Sequence, residues 1–185
     1  MRDPRSARSV LRAATAAEHE RVDQAFGRFD LSHPEGYRAF LRAQAQPLLS
    51  VEAAIDAFDP RGVLPDWPER RRGASLAADL AELGLPVPAP EPFRIATQGA
   101  ALGAIYVLEG SRLGGAMLSR NVPMDLPARF IRCAPAPRRW RDLIEVLDSH
   151  LTTPERCDAA VSAARTVFDR FEQGACQHGR MPAVE

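Results

Sequence analysis

Five glycines, Gly99, Gly103, Gly110, Gly114 and Gly115, lie within a stretch, Ile95 to Asn121, whose apolar periodicity otherwise reads as one helix. Each glycine in a helix interior costs roughly 1 kcal/mol against alanine, so the set forgoes on the order of 5 kcal/mol, comparable with a small domain's net stability. At about 100° per residue, Gly99, Gly103, Gly110 and Gly114 share roughly 60° of arc, in line with Tyr106 and Met117. A helix face stripped of side chains admits a flat object against its backbone, either another helix or a planar ligand. Leu102, Ile105, Leu108 and Leu113 supply bulk on the other sides, so the helix could pack well without the stripe.

A planar metal cofactor would also need an axial ligand, and His19 is the candidate. Leu11, Thr15, His19, Val22, Phe26 and Phe29 recur at steps of three and four, which turns His19 inward on an apolar helix face. A lone histidine so placed is either a satisfied core residue or a metal ligand. His33, His150 and His178 stand in a capping sequence, at a helix end and in a tail, and read as surface residues. Ser111 in G-S-x-L-G lacks the strand-turn-helix context of a nucleophile elbow, and the glycines have neither the lysine nor the preceding strand of a phosphate loop. Glu109 and Asp23 are helical carboxylates that could exchange protons or simply solvate a face. No Glu-x-x-His pair suggests a di-iron bundle.

The elements that position these residues are helical throughout. The first helix is expected from about Ser6 to Phe29. Ser32 with Glu35 forms a capping box for a second helix, carrying Tyr37, Phe40, Leu48, Val51 and Ile55 and kinked at Pro47. A loop from Asp59 to Pro68 leads to a helix ending at Leu83, with Gly84 as its C′ residue. Leu85 to Pro92 reads as an extended spacer, and the glycine-striped helix follows. A loop bearing Phe130 and Ile131 precedes a helix with Trp140, Leu143 and Leu147; Thr152 with Glu155 caps the last helix, which buries Val161, Ala164, Phe168 and Phe171. No alternating strand pattern competes. The expectation is an all-α, single-domain, multi-helix bundle over residues 1–185, with about 1–5 and 177–185 frayed.

Composition narrows the partners. The 24 basic residues balance the 24 acidic ones, which argues against nucleic acid or an anionic membrane surface. All the basic residues are arginine, as codon bias would produce. Cys133, Cys157 and Cys176 are scattered, so neither a disulfide framework nor a zinc site is indicated, and a cytoplasmic location fits. No segment is long and apolar enough to span a bilayer.

Two segments resemble the bacterial biliverdin-producing heme oxygenase family. Leu11 to Asp23, L-R-A-A-T-A-A-E-H-E-R-V-D, is similar to the family's proximal helix, and Leu102 to Gly115, L-G-A-I-Y-V-L-E-G-S-R-L-G-G, to its distal helix. The resemblance implies that His19 ligates heme iron and that Asp23 lines the proximal side. It places Arg12 beside a propionate, Tyr106 near the heme edge, and Gly110, Gly114 and Gly115 against the distal face. Arg165 matches a basic residue of the last helix that reaches a propionate. Ser111 stands where mammalian members carry an aspartate, as in other bacterial members, so distal waters held by Ser111 and backbone carbonyls would replace that carboxylate. The implied activity is cleavage of heme, both substrate and cofactor, to biliverdin, iron and carbon monoxide. It would use dioxygen and electrons from a separate ferredoxin or reductase, with a bacteriophytochrome as one biliverdin acceptor. The rivals are a non-catalytic heme carrier or sensor of the same fold, and a helical protein that binds another small molecule without metal.

Overall fold

A computed structural model describes residues 6–133 and 137–179. The expected frayed ends are answered only in part: residues 1–5 and 180–185 lie outside the described residues, whereas the last helix continues through 177 and 178. In chain order the helices are α1 (Ala7–Ala14), α2 (Ala16–Phe26), α3 (Pro34–Phe58), α4 (Trp67–Arg70), α5 (Gly73–Glu82), α6 (Gln98–Leu118), α7 (Pro137–His150) and α8 (Pro154–His178). Among the described residues there is no strand.

Helix α8 is the axis of the bundle and packs against α6, α3, α2 and α1. Leu41, Leu48 and Ile55 of α3, Leu76 and Leu80 of α5, Leu102 and Ile105 of α6, and Leu143 and Leu147 of α7 are fully enclosed. Side chains of this size stabilise the fold by roughly 1.5–3 kcal/mol each when fully buried. Close approach in the centre depends on missing side chains. A methyl group built at Gly99 would lie 2.6 Å from the Arg156 carbonyl oxygen, and one at Gly103 would overlap the Ala160 carbonyl, so half of the glycine stripe seats α6 on α8. Pro47, which removes one backbone donor from α3, sits inside an uninterrupted helix, and Gly174 of α8 presses where the Ala43 carbonyl is left free.

Several boundaries differ from the sequence expectation. The first helix is two: Thr15 leaves helical geometry (φ −115°, ψ 13°), its hydroxyl donates to the Leu11 carbonyl at 2.8 Å, and α2 ends at Phe26, before Gly27. Ser32 is not an N-cap, because its hydroxyl donates to Asp30 at 2.6 Å; His33 takes the cap position and Pro34 opens α3. Thr153, one residue beyond the expected Thr152, caps α8 by accepting the Arg156 N–H. Gly84 does terminate α5, with φ 66° and the paired Gly84 to Ala81 and Leu85 to Leu80 bonds of a Schellman motif.

The loop between α6 and α7 is pinned by a buried acid. Asp79 accepts the backbone N–H of Arg129 at 3.1 Å and of Phe130 at 2.9 Å, and Tyr37 donates to the Pro127 carbonyl at 3.0 Å. Burial, reinforced by the Asp79 charge, pushes the Tyr37 phenol well above its ordinary range, so it remains a donor. The loop thus presents Phe130, Ile131 and Cys133 to the site.

Candidate functional site

Between α1–α2 and the upper half of α6 lies a cavity of about 620 Å³, within the size range of small-molecule sites. Its proximal wall carries Arg12, Thr15, His19, Val22, Asp23 and Phe26, and its distal wall Tyr106, Gly110, Ser111, Gly114 and Gly115. Phe168 of α8, with Phe40 and Gln44 of α3, closes the inner end, and Trp140 of α7 stands beside Tyr106. Eight of the nine residues singled out from sequence therefore border one space. Arg165 is the exception: its guanidinium donates to the Ala14 carbonyl at 2.7 and 3.1 Å and faces Glu18, tying α8 to the end of α1 outside the cavity.

His19 does not enter a packed core as its periodicity implied. Its side chain is 62% exposed, facing the cavity, with its ring edge-on to Phe168 at 5.7 Å. Asp23, one turn later, lies 3.1 Å from Nδ1, which leaves Nε2 as the nitrogen able to offer a lone pair. Leu113 and Met117, 46% and 73% exposed, border the same opening, so Leu113 contributes cavity wall rather than packing bulk.

The glycine stripe divides by function. A methyl group at Gly114 would meet nothing within 4 Å, and one at Gly110 only the Trp140 ring edge at 4.0 Å, in contrast with the crowded Gly99 and Gly103. Bare backbone over a cavity that also holds a histidine suits a planar ligand held on one face by that histidine.

Sequence reasoning missed the polar layer behind the distal wall. Arg72, buried at the start of α5, donates through Nη2 to Ser111 Oγ at 2.6 Å and to the Leu108 carbonyl at 2.9 Å, with Phe130 beneath its guanidinium. Its backbone N–H and that of Gly73 donate to the two Glu52 carboxylate oxygens at 2.7 and 2.9 Å, fixing the turn. Burial, with a smaller contribution from the neighbouring Arg112 charge, pushes Arg72 down to about 10, and burial raises Glu52. Ser111 also donates to the Leu108 carbonyl at 2.7 Å. Its proton goes to the helix and one lone pair to Arg72, so Ser111, which borders the cavity, can meet a distal water only as an acceptor.

Glu109 is equally committed: it receives Arg112 at 2.8 Å and Arg70 at 3.1 Å, both buried, while Arg112 also donates to Cys133 Sγ at 3.0 Å and to the Arg70 carbonyl. Both Glu109 oxygens are thus engaged by guanidiniums inside the protein, and its carboxylate braces the distal wall from outside the cavity.

No family model matches the chain. It is 30% identical to a heme oxygenase of Xanthomonas campestris, over 73% of this chain and 86% of that protein. With heme oxygenase PigA of Pseudomonas aeruginosa it shares 28% identity over 91% of this chain and 93% of the other. Its fold is similar to that of the heme oxygenase of Neisseria meningitidis solved with bound NO and CO, with TM-score 0.81, 24% identity, and coverage of 97% and 94%.

Proposed function

The chain belongs to the heme oxygenase family, and from that premise we propose that it binds heme through His19 and cleaves it oxidatively to biliverdin, iron and carbon monoxide. The observation that carries the reading is the uncovered backbone of Gly110 and Gly114 across a cavity bordered by His19. Bound heme would supply the iron that activates dioxygen and the macrocycle that is opened. His19 would ligate from the proximal side through Nε2, oriented by Asp23. Gly110, Gly114 and Gly115 would leave room for a small diatomic molecule, since nothing lies within 4 Å of a methyl group at Gly114. Arg72, held by Ser111 and Leu108, would place a fixed cation at the distal cavity, where ordered water can carry protons. Arg12 and Tyr106 would face the heme carboxylates.

No helix among the described residues is long and apolar enough to cross a membrane, and we place the protein in the cytoplasm. Cys133 lies on the loop and Cys157 and Cys176 near opposite ends of α8, an arrangement that holds no iron–sulfur cluster, so electrons are assigned to a separate ferredoxin or reductase. A bacteriophytochrome is the proposed acceptor of biliverdin.

The test is turnover. Purified protein loaded with heme, supplied with a reductant and dioxygen in the presence of catalase, should lose its Soret band, gain biliverdin absorption and release carbon monoxide. His19→Ala should rewrite the ferric spectrum, while substitutions of His33, His150 and His178 leave it unchanged. A Soret band that persists through repeated electron supply would mean a carrier; an unchanged His19→Ala spectrum would remove the ligand assignment.

A further inference from the structure

Most charge around the cavity is accounted for locally. Asp23 faces His19, Arg112 faces Glu109, and Arg72 is held by Ser111 and the Leu108 carbonyl. Two guanidiniums are not. Arg8 and Arg12 stand one turn apart on α1, both border the cavity, and neither is paired with a carboxylate among the described residues. Like charges four residues apart on a helix repel and cost stability, so the pair needs an external anion to be favourable.

Arg8 is also held in place. Its guanidinium lies 5.6 Å over the Trp140 ring, and Trp140 in turn lies 5.9 Å from Tyr106, whose phenol is raised by burial but lowered by both Arg8 and Arg12. Both cations therefore converge on the Tyr106 end of the cavity. An arginine stacked on an aromatic face keeps its edge N–H donors available to a carboxylate, and the stack reduces the freedom it would lose on binding.

We propose that Arg8 is a second carboxylate-binding residue of this cavity, acting beside Arg12 so that a porphyrin with two carboxylates on one edge enters in a single in-plane orientation. The inference rests on the heme reading above and adds the residue that fixes orientation, the Arg8–Trp140–Tyr106 stack being its support. Side chains one turn apart on a helix are about 5–6 Å from each other at Cβ, a spacing that offers each of two neighbouring carboxylates its own guanidinium. Orientation decides which bridge of the macrocycle faces Gly110 and Gly114, so Arg8 would also set the biliverdin isomer.

Metal-free protoporphyrin IX separates this contribution from iron ligation by His19, because it keeps the two carboxylates and lacks the metal. Its affinity, read by quenching of tryptophan fluorescence in the apo protein, should fall about tenfold in Arg8→Met, which retains an apolar side chain over Trp140. Arg8→Lys should recover part of that loss. The dimethyl ester should bind wild type and Arg8→Met within about twofold of each other, since it has no charge for Arg8 to meet. Loaded with heme, Arg8→Met should release a mixture of biliverdin isomers where wild type releases one. Equal losses for diacid and diester would reduce Arg8 to a packing residue, and undiminished diacid affinity would remove it from the site. Either result, with a His19-dependent heme spectrum intact, overturns this inference alone; a wild-type protein that takes up no ferric heme overturns the functional reading with it.

Discussion

At Ser111 and Arg72 the chemistry of the distal wall is set by hydrogen-bond valence. A hydroxyl has one proton, and that of Ser111 goes to the Leu108 carbonyl while its oxygen receives Arg72. The cation is costly to hold there. Its buried guanidinium has a folded-state value of about 10, below the ordinary arginine range, so the folded protein releases this proton before the unfolded chain does. The destabilisation is therefore fully present below about pH 10 and is relieved as pH rises from there toward the ordinary arginine range. Arg72→Met, which removes the buried charge and keeps apolar contact with Phe130, should leave the apo protein within about 1 kcal/mol of wild type at pH 7, or above it. Its advantage should shrink in melts above pH 10. A loss of more than about 2 kcal/mol would mean that Ser111 and Leu108 depend on the Arg72 donor for stability rather than holding it for the cavity.

Helix α6 performs two tasks with one residue type. Its lower half needs Gly99 and Gly103 because the α8 backbone occupies the space of a Cβ; its upper half needs Gly110 and Gly114 only if something else lies there. Stability measurements should separate the halves. Gly103→Ala should destabilise the apo protein by about 1–3 kcal/mol, overlap with the Ala160 carbonyl outweighing a propensity gain of roughly 1 kcal/mol. Gly114→Ala, with open space around the new methyl, should melt at the wild-type temperature or slightly higher, yet lower the biliverdin yield. Full activity in both Gly110→Ala and Gly114→Ala would show that the upper stripe is not a surface for the substrate. The break at Thr15 belongs to the same scale, since it separates α1, which carries Arg8 and Arg12, from α2, which carries His19.

Across the whole molecule, α8 holds α2 and the lower part of α6, while the cavity separates α2 from the upper part of α6. Substrate spanning that gap would add the missing contact between them. Heme at about one hundred times its dissociation constant should stabilise the protein by about 2.7 kcal/mol. Hydrogen exchange should localise the gain: amides of 110–118 should become more protected on binding, and those of 99–108, already packed on α8, should change little. Uniform protection along α6 would indicate a helix that tightens as one unit.

The all-α architecture was legible from local pattern because burial imposes a 3.6-residue period on each helix and Gly84 punctuates the chain through a backbone constraint of its own. The same periodicity selected His19, Tyr106 and the stripe, whereas Arg12 and Asp23 were assigned near them by the resemblance to the family's proximal helix. Fine boundaries escaped it. Ser32 and Thr152 each had a plausible capping partner three residues on, and the choice fell to Asp30 and to the adjacent Thr153. Helical period likewise could not show that one glycine stripe would face a helix below and a cavity above, since both environments ask for a missing side chain. The buried Arg70–Glu109–Arg112 cluster, the Arg72 bond to Ser111 and the Arg8 stack on Trp140 join residues from separate elements. Their partners are chosen by packing in three dimensions and the need to satisfy buried charge, so only the tertiary structure decided which polar groups are committed inside the protein and which remain for a substrate.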